Sequence, residues 1–82
     1  MTIDVHGKKV AVTDKNARAY KKMNGFLPEV NDVEVYINAT YHPADIKTCI
    51  ESFSDNELTE IVNFCIEQEI KDCCGIAFYE EA

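Results

Sequence analysis

The side chains best equipped for chemistry in this chain are four cysteines (Cys49, Cys65, Cys73, Cys74), two histidines (His6, His42) and 15 acids. A zinc site presents ligand pairs such as Cys-x-x-Cys or His-x-x-x-His. Here Cys73 and Cys74 are adjacent and the remaining candidates stand singly. No phosphate-binding glycine loop, dinucleotide fingerprint, His-Glu-x-x-His or Gly-x-Ser-x-Gly occurs. The expectation is a protein that is not an enzyme, with no catalytic residue, no metal and no cofactor. Cys49 and Cys65 fall on helical apolar stripes, where a reduced thiol acts as a small hydrophobe. One acid stands apart. Glu69 lies near the middle of the stripe defined by Leu58, Val62 and Cys65, where an unpaired carboxylate is costly to bury. A buried Glu of this kind is a starting point for acid–base chemistry, yet no partner acid, base or nucleophile stands at helical spacing from it. A surface for self-association at that end of the helix fits it better.

Charge is more informative than motif. Residues 1–42 carry six Lys/Arg against five acids, a balance of +1. Residues 43–82 carry Lys47 and Lys71 against ten acids, a balance of −8. Such a field attracts basic partners and repels nucleic acid from its acidic side. The basic residues cluster too: Lys15, Arg18, Lys21 and Lys22 share one side of a predicted helix, and Lys8 and Lys9 sit near a turn.

The elements that position these groups can be read from periodicity. Ile3 and Val5, then Val10 and Val12, alternate with polar residues and predict a hairpin closed by Gly7-Lys8, with Val5 opposite Val10, Ile3 opposite Val12 and His6 opposite Lys9. Thr13 or Asp14 caps a helix running to Asn24, which Gly25 stops; Ala19, Tyr20 and Met23 form its apolar face. Asn31-Asp32 predicts a turn, and Val33, Val35 and Ile37 alternate as a strand. Pro43 predicts a helix start, with Ile46, Cys49, Ile50 and Phe53 inward. Ser54 and Glu57 have capping-box spacing ahead of a helix reaching about residue 72, with Leu58, Ile61, Val62, Cys65, Ile66 and Ile70 inward. Ile76-Ala77-Phe78-Tyr79 has strand composition. The predicted fold is a single α+β domain over residues 1–82, in which a small, mostly antiparallel sheet of about four strands, in the order β-β-α-β-α-α-β along the chain, carries helices on one face. No apolar run is long enough to span a bilayer and no secretory leader is evident, so a soluble, cytoplasmic protein is expected.

Phe64 breaks the long helix's pattern. At helical spacing it projects away from the apolar stripe, among Glu57, Glu60, Glu67, Gln68 and Lys71. An apolar centre with a charged rim is the composition of an interface anchor. The leading expectation is therefore an acidic protein-interaction module that engages a basic surface on a partner protein through Glu57, Glu60, Phe64, Glu67, Gln68 and Glu69. By analogy with other small acidic domains, including those carried by phages, it would act as an inhibitor or adaptor, its acids standing where phosphates would. The alternative is a nucleotide or nucleic-acid module that uses Lys15, Arg18, Lys21 and Lys22 of the first helix and a Tyr-bearing sheet face, with Tyr20 or Tyr36 available to stack on a base. The overall charge disfavours it. The same basic helix against an acidic neighbour would give homo-oligomers.

Overall fold

A hairpin opens the chain and five helices follow it in the computed structural model, which describes residues 1–82. Strands β1 (Thr2–Val5) and β2 (Lys8–Ala11) precede α1 (Asp14–Asn24), α2 (Val30–Tyr41), α3 (Ile46–Glu51), α4 (Asp55–Cys74) and α5 (Ile76–Glu80). The fold is α+β with a two-stranded antiparallel sheet rather than a sheet of four strands.

The hairpin forms, in a register two residues away from the expected one. Ile3 pairs with Val10 and Val5 with Lys8. The loop is His6-Gly7, with φ of 51° and 86°, because a two-residue hairpin loop of this hand needs positive φ at both positions. The Asp4 carboxylate accepts the Gly7 N–H at 2.9 Å and ties the turn shut. A shift of two preserves the pleat, so Ile3, Val5 and Val10 remain buried while Thr2, Asp4, Lys9 and Ala11 face water. His6 leaves the strand and lies 2.6 Å from Glu34. Lys9 pairs with Asp4 at 2.8 Å instead.

Helix α1 begins and ends as its residues require. The Thr13 hydroxyl accepts from the Asn16 N–H, and Gly25 takes the left-handed stop at φ 84°.

The expected strand through Val33, Val35 and Ile37 is helix α2. Val33 and Ile37 are four residues apart, so they share a helical face as readily as a strand face. Both are fully buried, whereas Val35 is 62 % exposed. Asn31-Asp32 is the helix's first turn rather than a loop: the Asp32 carboxylate accepts the Glu29 N–H at 2.8 Å and closes that end. His42, in the left-handed region at φ 48°, terminates α2. Helix α3 starts later than Pro43 and is capped by Asp45, whose carboxylate accepts from Lys47 N–H and the Thr48 hydroxyl.

The expected last strand is helix α5. The outer edge of β2 is closed to it, because α4 already lies along that edge. The Thr59 hydroxyl accepts from Ala11 N–H and donates to the Lys9 carbonyl, both at 3.3 Å. The Asn63 amide donates to the Ala11 carbonyl at 2.8 Å, and its oxygen accepts the Thr13 N–H at 3.0 Å. Two side chains of a helix thus do the work of a third strand on a free edge that would otherwise remain a pairing hazard. Freed from a sheet, the segment after Gly75 coils back across α1 and buries Tyr79.

The core is continuous. Ile3, Val5, Val10 and Val12 from the hairpin meet Ala19 and Tyr20 of α1, Val33 and Ile37 of α2, Ile50 of α3, and Leu58, Val62, Ile66 and Ile70 of α4. Within α4 the last four recur every fourth residue and make one stripe. Their burial fixes the opposite face of this 20-residue helix toward solvent.

Candidate functional site

That outward face is where the sequence-predicted interaction residues lie. Helix α4 starts at the expected box: the Ser54 hydroxyl accepts the Glu57 N–H and the Glu57 carboxylate accepts the Ser54 N–H, each at 3.1 Å. The Ser54 N–H, and after it the Ser54 hydroxyl, hold the Glu57 carboxyl below the ordinary carboxylate range, so it is charged at any physiological pH. Its position in the first turn also complements the helix dipole.

Phe64 projects from the middle of this face, 62 % exposed. Glu60 precedes it by one turn and Gln68 follows by one turn, both exposed. Glu67 and Lys71 form an ion pair of 2.6 Å along the helix, and the Glu67 carboxylate raises the Lys71 ammonium's pKa. Lys71 Nζ also stands 5.3 Å from the Tyr79 ring. The rim of Phe64 is therefore graded. Its N-terminal side carries Glu57 and Glu60 without a salt-bridge partner, whereas the C-terminal side is neutralised by Lys71.

Glu69 does not belong to this surface. It is exposed rather than buried in the stripe, and at about 100° per residue it points roughly 140° away from Phe64. The buried stripe turns by about 40° with each fourth residue, so by the fully buried Ile70 it has rotated about 100° away from Glu69, which reaches water. Its carboxylate accepts from the Cys73 thiol at 3.4 Å and pushes the pKa of that thiol up. Tyr36 of α2 lies close enough to feel both groups. Its phenol is pushed up to about 12, chiefly by burial, with the Glu69 charge adding to the effect.

The basic side chains of α1 are partly used within the fold. Lys15 Nζ lies over the Tyr79 ring at 4.6 Å and Lys22 Nζ over the Phe78 ring at 4.4 Å. Lys22 also approaches Glu81 at 3.9 Å. Arg18 and Lys21 are exposed. Tyr20 is buried in α1 and Tyr36 lies in α2, so neither stands on a sheet face.

Sequence reasoning missed a polar cluster beneath α5. Asn16, only 3 % exposed, donates to the Asn63 side-chain oxygen at 2.9 Å and the Asn63 carbonyl at 3.3 Å. It also accepts the Tyr79 hydroxyl. The buried Asn16 and Tyr79 and the half-buried Asn63 satisfy one another, a condition under which such groups fix a packing arrangement rather than weaken it. The one available signal was Asn16 on the same side of α1 as Ala19 and Tyr20. The exposed apolar residues Phe26, Leu27 and Ile76 also went unremarked.

No group of three or more His, Cys, Asp or Glu side chains is arranged to hold a metal ion, and the surface has no pocket. All four cysteines are free thiols, with Cys49 and Cys65 half-buried and Cys73 and Cys74 exposed. No helix is long and apolar enough to cross a membrane. No family model, curated protein or solved structure matches this chain.

Proposed function

We propose that the protein is an acidic interaction module that presents the outer face of α4 to a basic surface on a partner protein. The observation that carries this reading is Phe64, 62 % exposed on a helix whose opposite face is fully buried. A phenyl ring held outward on a rigid, capped helix costs solvation and gains nothing within the monomer. Set among Glu57, Glu60 and Gln68, it matches the anchor-and-rim composition of binding hot spots. The −8 balance of residues 43–82 supplies the long-range attraction that speeds encounter with a basic partner. In its sharpest form the module is an inhibitor or adaptor whose carboxylates occupy a site that would otherwise take phosphates.

The test is capture from a cell lysate at low salt with wild type, Phe64→Ala and Glu60→Lys as baits, each first shown to retain the wild-type circular dichroism spectrum. The expected result is one stoichiometric basic protein, weakened by Glu60→Lys, lost with Phe64→Ala, and released as salt rises. Salt-insensitive capture that tolerates both substitutions overturns the reading. The nucleic-acid alternative is left with Arg18 and Lys21 as its uncommitted cations, and an oligonucleotide gel shift lost on Lys21→Glu would restore it.

A further inference from the structure

We infer that the outer face of α4 also fits a second copy of itself, two helices packing antiparallel about a two-fold axis that passes beside Phe64. The sequence of this face is nearly self-complementary about that residue. Glu57 and Lys71 each lie seven residues from Phe64, and Glu60 and Gln68 each lie four residues from it. At about 3.6 residues per turn all four fall within roughly 40° of the Phe64 direction. An isologous contact brings residue i against j and j against i. Reversing one helix on the other at Phe64 therefore stacks the two phenyl rings at the axis. It sets each Lys71 against the partner's Glu57, with the partner's Glu60 one turn closer to the axis.

The charges suit this arrangement better than a parallel one. In a parallel pair like residues oppose like, so Glu57 and Glu60 would each meet their own copies. In the antiparallel pair the acidic end of the face meets the end that carries Lys71. The nearest like-charge approach is Glu60 to the partner's Glu67, and one Lys71, 2.6 Å from its own Glu67, is shared between that carboxylate and the partner's Glu57 and Glu60. The rim closes with Gln68 beside the partner's Ile61 and Glu57. One helix face is narrower than a standard interface of about 800 Å² per partner, so association is weak and visible at high protein concentration.

This inference does not need the basic partner, and salt separates the two. Each copy carries a net charge of −7, so two copies repel at long range. Raising salt from about 0.01 M to about 0.15 M shortens the screening length from roughly 30 Å to 8 Å and removes that repulsion. Self-association strengthens with salt, whereas capture of a basic partner weakens.

The experiment is carbodiimide coupling of a concentrated mixture of unlabelled and ¹⁵N-labelled protein, read by mass spectrometry, beside sedimentation across a concentration series. Carbodiimide joins a carboxylate directly to an amine. Along one helix Glu57 and Lys71 are about 21 Å apart and Glu60 and Lys71 about 16 Å, so neither link can form within one copy. The Glu67–Lys71 link can form within one copy and serves as the internal control. The expected result is Glu57–Lys71 or Glu60–Lys71 links between differently labelled copies, a dimer that grows with concentration and salt, and roughly tenfold or greater weakening on Phe64→Ala. A monomer at every concentration, links confined to other pairs, or a dimer indifferent to Phe64→Ala overturns the inference. Self-pairing without a basic partner would refute the proposed function and leave this contact standing. A basic partner captured by a strict monomer would do the reverse.

Discussion

Replacing Asn63 by Ala tests the idea that α4 substitutes for a third strand. The side chain makes four hydrogen bonds. Its amide donates to the Ala11 and Thr59 carbonyls, each at 2.8 Å. Its oxygen accepts from Thr13 N–H at 3.0 Å and from the Asn16 amide at 2.9 Å. Ala11 and Thr13 are exposed, so water replaces the lost partner there and each bond contributes near the low end of the ordinary range, about 0.5 kcal/mol. Asn16 is buried and keeps the Asn63 carbonyl at 3.3 Å, so its loss is about 1 kcal/mol rather than the full cost of an orphaned donor. With the Thr59 contact the gross loss is about 2.5 kcal/mol, and the better helix propensity of Ala returns about 0.5 kcal/mol. The net expectation is about 2 kcal/mol, which for a domain of this size lowers Tm by roughly 8–16 °C. Urea unfolding followed by circular dichroism measures it, with an unchanged m-value showing that the unfolded state is unaffected. A loss below about 0.5 kcal/mol, the range of an ordinary surface site, would refute the edge-capping role.

Three further outcomes follow from the same contacts. Val33→Lys should abolish cooperative unfolding while Val35→Lys leaves the urea midpoint nearly unchanged, since only Val33 is buried; a strand would bury both, and equal sensitivity would contradict the helix. Burial raises the phenols of Tyr20, Tyr36 and Tyr79 above the ordinary 10.0, so their stabilising contribution is complete below pH 10 and is lost as pH climbs through the folded values. Lys9 and Lys71, raised above 10.5 by Asp4 and Glu67, weaken in the same direction, and ultraviolet titration of a Tyr41→Phe variant, which lacks the exposed fourth phenol, should show phenolate appearing together with unfolding rather than before it. Because the Glu69 carboxylate raises the Cys73 thiol, iodoacetamide should alkylate Cys73 faster in Glu69→Gln than in wild type at mildly alkaline pH; an unchanged rate would deny the contact.

The parts of this fold that were legible in sequence are those set by local chemistry. Ser54 and Glu57 announce a helix start within four residues, Thr13 and Gly25 bracket α1, and the fourfold recurrence of Leu58, Val62, Ile66 and Ile70 fixes which way Phe64 points. Misreadings arose where two periods coincide. Val33 and Ile37 suit a strand and a helix equally, and only the exposure of Val35 separates the two. The strand reading of Ile76–Tyr79 failed for a different reason. Composition favoured a strand, but a strand needs an open edge, and Thr59 and Asn63 had taken that of β2. No local pattern could reveal that, nor the bond from Tyr79 to Asn16 that spans most of the chain. Glu69 was misplaced because the stripe was taken as straight from Leu58, Val62 and Cys65, whereas the buried residues every fourth position drift around the helix toward Ile70. The placing of Glu57, Glu60 and Gln68 around Phe64 was legible because it depends on one helix and its phase. The contacts that Lys15 and Lys22 make with the aromatic rings of α5 were not legible, because α5 reaches them only in the folded chain.

The measurement that bears most directly on the central claim is calorimetric titration of the captured partner into wild type and Phe64→Ala at low and physiological salt. The account predicts one-to-one binding to wild type, an affinity that falls as salt rises, and no measurable heat with Phe64→Ala although the variant keeps its helical spectrum. Equal affinity for both proteins, or binding unmoved by salt, would contradict it and would leave the acids of α4 as a solvated face.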